Sequence, residues 1–125
     1  MALDKKRMCP ITTRREERRM PKYLWQASYA AEGAKGLLRE GGSKRRAEVQ
    51  QAVERAGGHL EAFYYAFGDA DAYVIADLPD AATAAAVSLA VNAAGAVNLR
   101  TTVLLSPEEM DEAARKQVGY RPPGG

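Results

Sequence analysis

Residues 59–77 read His59-Leu-Glu-Ala-Phe-Tyr-Tyr-Ala-Phe-Gly-Asp-Ala-Asp-Ala-Tyr-Val-Ile-Ala-Asp77. The stretch holds two apolar, aromatic and β-branched runs separated by Gly68-Asp69-Ala70-Asp71, a turn composition. It therefore predicts a hairpin of strands over 59–67 and 72–77. After Glu61 the first strand is apolar on both faces, which predicts cover on both sides of the sheet.

Working outward, Lys22-Tyr-Leu-Trp-Gln-Ala-Ser-Tyr29 predicts another strand, with Tyr23, Trp25, Ala27 and Tyr29 on one face. Glu32–Glu40 can make a short helix that Gly41-Gly42 interrupts. Ser43 is the expected N-cap of a helix over 44–56, where Val49, Ala52, Val53 and Ala56 share a face and Gly57 is the stop. Pro79-Asp80 opens an alanine-rich helix that runs to 94 and stops at Gly95. A strand over 97–105 follows, then a helix with Ser106 as cap, Pro107 in its first turn and Glu109 completing a capping box.

The order is strand, helix, hairpin, helix, strand, plus a C-terminal helix. It predicts an α+β domain of ferredoxin-like β-α-β-β-α-β layout: a four-stranded antiparallel sheet with two helices on one face. The other face then needs a cover, and a second copy is the expected one, giving a homodimer.

Composition sets limits on function. A chain of 125 residues, 46% hydrophobic and 27% charged, suits one globular domain. Aromatics are 7%, so small side chains must build much of the core. Residues 1–19 hold seven basic and three acidic residues, a balance of +4 that leaves −2 for the rest of a chain of net charge +2. They read as a disordered basic tail or an upstream extension, ahead of a domain over 20–117 and an extended end over 118–125. The basic character thus resides in the tail, and no nucleic-acid surface is expected on the domain. The single cysteine, Cys9, forms no intrachain disulfide and suits a reducing compartment. No apolar run of about 20 residues marks a membrane span, so the cytoplasm is the expected location.

Tyr23 to Tyr29, Gly57-Gly58, Glu61-Ala-Phe-Tyr-Tyr-Ala-Phe-Gly68, Asp71, Asp77-Leu-Pro-Asp80 and Gly95-Ala-Val97 together resemble the GYD-domain family over nearly all of residues 20–123. Gly68 and Asp71 match the signature from which the family is named, whereas Ala70 stands where it has tyrosine. None of these motifs is catalytic by type. The family is similar in layout to dimeric α/β-barrel proteins, a group of cofactor-free monooxygenases, small isomerases and ligand-binding modules. The resemblance implies a homodimeric small-molecule-binding or accessory protein, or alternatively a cofactor-free oxygenase or isomerase, with no cofactor in either case.

Site candidates are few. His59, the one histidine, is of the side-chain type that suits general-base chemistry near neutral pH, with Glu61 two residues away; a solvent-edge histidine is its structural alternative. Asp77 ends an apolar strand, where desolvation would make it a base; pairing with a backbone amide at the sheet rim, ahead of Pro79, is its structural alternative. Tyr64 and Tyr73 can bring phenols to a gap between sheets, although strand tyrosines more often serve packing. Gly41-Gly-Ser-Lys-Arg-Arg46 puts Arg45 and Arg46 in a helix's first turn, where they can meet an anionic ligand. One histidine and one distant cysteine make no zinc set, and no metal is expected.

Overall fold

A computed structural model describes residues 20–125; the tail expected over 1–19 lies outside them. In chain order the elements are β1 (Lys22–Tyr29), α1 (Ala31–Glu40), α2 (Gly42–Arg55), β2 (His59–Tyr65), β3 (Ala72–Asp77), α3 (Ala81–Ala94), β4 (Val97–Leu104) and α4 (Pro107–Arg115). The strands form one open sheet in the order β2-β3-β1-β4. Every neighbouring pair is antiparallel.

Side-chain alternation decides what each face carries. On β1, Tyr23, Trp25 and Ala27 are buried while their neighbours are only half-buried. Cross-strand pairing puts Val74 and Ala76 of β3 and Leu60 of β2 on that same inner face. These residues cluster with Val53 of α2 and Ala84 of α3. α2 packs mainly against β2 and α3 mainly against β4, so each helix covers one flank of the inner face. The expected small-residue core is present: Ala27, Ala70, Ala72, Ala76 and Ala84 are all buried.

Helix ends follow local chemistry. The Asp80 carboxylate accepts the Thr83 N–H at 2.8 Å and starts α3. Gly95, at φ 84°, ends it in the left-handed conformation that a side chain would disfavour. Ser106 and Glu109 cap α4 reciprocally, at 2.8 and 3.0 Å, although α4 buries none of its residues.

The structure departs from the sequence reading in two places. Ser43 is not a cap: α2 begins at Gly42, with Gly41 as N-cap and no side chain capping it. The glycine pair does not separate the helices widely, because Gly41 donates to Leu37 and closes α1 just as α2 begins. β2 stops at Tyr65 instead of 67, because the Ala66 N–H turns to the Asp71 carbonyl at 2.8 Å and closes the hairpin loop. As expected of a sheet with its helices on one side, β2 is covered on one face within this chain; it lies at the sheet edge, and Tyr64 is 72% exposed.

α1 contributes no buried residue, and its seat depends on backbone approach. The Ala30 N–H donates to the Ala96 carbonyl at 2.9 Å, and a Cβ on Gly33 would lie 2.2 Å from that same oxygen. A Cβ on Gly36 meets nothing within 4 Å. Two alanine substitutions in one helix should therefore act in opposite directions. Gly36→Ala should raise unfolding free energy by about 0.5–1 kcal/mol through helix propensity. Gly33→Ala should lower it by about 1–3 kcal/mol through overpacking. Urea denaturation of both variants checks the sign of each.

Candidate functional site

A helix on each flank leaves a trough over the two central strands. Larger side chains on α3 would fill it, but this helix offers Thr83, Ala84, Val87, Ser88 and Val91 as its less exposed positions. The result is a cavity of about 280 Å³ between sheet and helices. Trp25, Ala72 and Val74 form its floor, Phe63 and Leu99 flank them, and Val49, Val53, Val87 and Val91 face them from α2 and α3. Trp25 is 3% exposed. Its Nε1 is buried without a hydrogen-bond partner among the described residues, a deficit of about 1–3 kcal/mol relative to a satisfied indole.

The polar end of this cavity lies where β1 finishes and α2 starts, and holds Tyr29 and Arg45. Tyr29 is positioned by Asp71: the carboxylate accepts the Tyr29 N–H at 2.8 Å, and the Asp71 N–H donates to the Ala27 carbonyl at 2.8 Å. These bonds extend the tie between β1 and the hairpin beyond the last ladder pair, Ala27 with Ala72. Beside it, the Tyr65 hydroxyl donates to the Gly42 carbonyl at 3.1 Å, and its ring packs where a Gly42 side chain would stand. On the far side of Tyr29 and Tyr65 lies a more open groove of about 520 Å³, bordered by Leu37, Leu38 and the exposed Phe67.

Burial pushes the Tyr29 phenol up to about 12; the neighbouring Tyr65 adds to the shift, and the Arg45 charge opposes it. Burial likewise raises the Tyr65 phenol. Both phenols therefore stay protonated at neutral pH, so they serve as hydrogen-bonding groups and not as resident bases.

The residues singled out in the sequence fall in two places. Arg45 lines the cavity, whereas Arg46 turns to Gln50 on the exposed side of α2 at 3.1 Å. Tyr64 and Tyr73 are cross-strand partners, and they, His59 and Asp77 lie on the outer face, away from the helices. Asp77 is only 7% exposed and accepts from Lys22 Nζ at 2.8 Å, so its rim partner is an ammonium and not a backbone amide. Lys22 also bridges to Glu61, joining β1, β3 and β2 at one end of that face. Burial pulls the Lys22 pKa down, but the hydrogen bonds and charges of Asp77 and Glu61 outweigh it and hold it above the ordinary lysine value. Among the described residues no three His, Cys, Asp or Glu side chains gather as a metal site.

Tyr29 was not singled out by sequence, although its parity with Trp25 and Ala27 was the signal that put it on the cavity side. It becomes polar lining because the end of β1 sets it in the cavity wall together with Arg45 of α2.

A family model described as the GYD domain matches residues 23–114. No curated protein and no solved structure matches the chain.

Alkaline stability reads out the two raised groups. Tyr29 and Lys22 each have a folded-state pKa above the unfolded value, so the unfolded chain loses those protons first as pH rises. Their contribution is complete below about pH 10, the unfolded tyrosine and lysine range, and is lost above it. Urea midpoints should therefore fall between about pH 10 and 12, and Tyr29→Phe should flatten part of that fall. An unchanged pH slope in the variant would count against a buried Tyr29 phenol.

Proposed function

The chain belongs to the GYD-domain family, and from that premise we propose that it is a homodimeric, cytoplasmic small-molecule-binding protein that holds its ligand between sheet and helices. The observation that carries this reading is the apolar cavity of about 280 Å³ with Tyr29 and Arg45 at one end. Concave, largely apolar sites with a few placed polar groups are the usual form of small-molecule sites. The strand order, with α2 and α3 on one face, supports a ferredoxin-like layout for the domain.

Binding is favoured over proton-transfer catalysis by the lining itself. The protonated phenols are poor bases, and Glu48, the one carboxylate in the lining, is exposed on α2. The acid–base candidates His59, Tyr64, Tyr73 and Asp77 are separated from the cavity by the thickness of the sheet.

The assembly half of the proposal rests on the outer face. Leu24, Ala62, Tyr64, Tyr73, Ile75 and Leu104 occupy it by register, beside the more polar Asn98, Arg100 and Thr102 of β4. A second copy laid on the apolar part would remove it from water. A single cysteine supports a reducing location, and among the described residues no helix is long and apolar enough to cross a membrane.

Ligand binding and assembly have separate tests. Trp25 is the sole tryptophan and lines the cavity, so its emission reports occupancy. A neutral apolar probe, 4-tert-butylbenzamide, should change that emission saturably, and Ala52→Phe, at an exposed helical position lining the cavity, should abolish the change. No response in the parent chain to this probe or to the matching 4-tert-butylbenzoate would sink the binding site. Sedimentation at micromolar concentration should give a dimer, and Ile75→Arg a folded monomer; a monomeric parent chain would sink the assembly.

A further inference from the structure

We propose that the cavity is built for a monoanion: a small apolar body carrying a single acidic group, such as a carboxylate, that docks against Arg45. The inference rests on the binding site proposed above and adds the ligand's charge and orientation.

Arg45 is half-buried and lines the cavity, yet among the described residues its guanidinium makes neither a hydrogen bond nor an ion pair. Its neighbours do have partners: Arg46 meets Gln50, and Gln50 meets Glu54. A guanidinium that has lost part of its water without gaining an acceptor is costly, and an anion in the cavity removes that cost. The local field points the same way. Arg45 sits in the first turn of α2, which holds no acidic residue and also carries Lys44 and Arg46. The positive end of that helix adds to the attraction for negative charge.

The surrounding groups narrow the class. Beside Arg45 stands the Tyr29 phenol, a neutral hydrogen-bonding group that does not compete with an incoming acid for the guanidinium. The other cation of the lining, Arg55, is at the opposite end of α2, so a dianion at Arg45 would keep one charge unmatched against apolar walls. A cationic ligand would meet repulsion at the polar end. The volume, about 280 Å³, falls just below the range of about 300–1,000 Å³ typical of pockets for drug-sized ligands. It suits a body of one or two rings or a short branched chain against Trp25 and Phe63.

The test uses an isosteric pair, 4-tert-butylbenzoate and 4-tert-butylbenzamide, titrated into the full-length chain at neutral pH and followed by Trp25 emission and by calorimetry. The benzoate should bind at least about tenfold more tightly than the amide, as expected of a charge-assisted hydrogen bond. Arg45→Gln should erase that preference, bringing the acid-to-amide affinity ratio to about one, and Arg45→Lys should restore part of it. Thermal melts of both variants establish that they fold. Equal binding of acid and amide, or a preference that survives Arg45→Gln, would overturn the anion inference while the binding site stands. If neither probe binds, the binding site fails and the inference with it.

Discussion

The shortage of large side chains above the sheet is the constraint on which the architecture turns. The inner face of β1 offers Tyr23 and Trp25, and β2 adds Leu60 and Phe63, but α3 answers chiefly with alanine and valine. Close packing demands that facing surfaces interdigitate. Here it is met near Leu60, Leu78 and Ala84, where the core is closed, and it fails toward the end of β1 at which α2 begins. The void is therefore graded along the sheet: closed at the end where Lys22 joins Asp77, open at the end where Tyr29 meets Arg45. A helix with leucine or phenylalanine at the positions of Val87 and Val91 would give a tighter domain with nowhere to admit a guest.

Asp71 ties this packing defect to the family signature. Its carboxylate and its N–H both reach β1, so the hairpin loop is sewn to the central strand at the open end of the trough. Ala70, buried beside it, fits under the loop without a polar group to satisfy. The signature aspartate thus works on backbone geometry. It sets the direction in which Tyr29 leaves the strand, and through that the shape of the cavity's polar end.

Much of the fold was legible because its determinants are local. The alternation in 22–29, the turn residues 68–71, Asp80 and Gly95 around the alanine helix, and the Ser106–Glu109 box each act over a few residues, and the structure uses each as read. The errors also have local causes. Ser43 looked like a cap, but Gly41 closes one helix and opens the next, which leaves no residue for a separate cap. The candidate site was less legible because it depends on an absence. Periodicity marks which residues face the core but not whether opposing side chains are large enough to meet. Tyr29, Trp25, Val49 and Val91 therefore read as packing, while the more conspicuous His59 and Asp77 drew notice for their chemistry. Lys22 reaches Asp77 from 55 positions away, a partner that only the β1–β3 register reveals.

The C-terminal helix presents a different case. α4 has nine residues, fewer than the about 12–15 at which an isolated helix becomes even marginally stable in water. None of its residues is buried among the described residues, so tertiary packing contributes little to its formation. What remains is the reciprocal cap and Pro107, which lower the cost of nucleation at one end only. The segment's helix–coil balance is consequently written in four residues, Ser106 to Glu109, and is thermodynamically separable from the cooperative unfolding of the sheet. Unfolding followed through the sheet and through this helix would not share a midpoint, and the chain from Leu105 onward behaves as a second, softer phase attached to a rigid one.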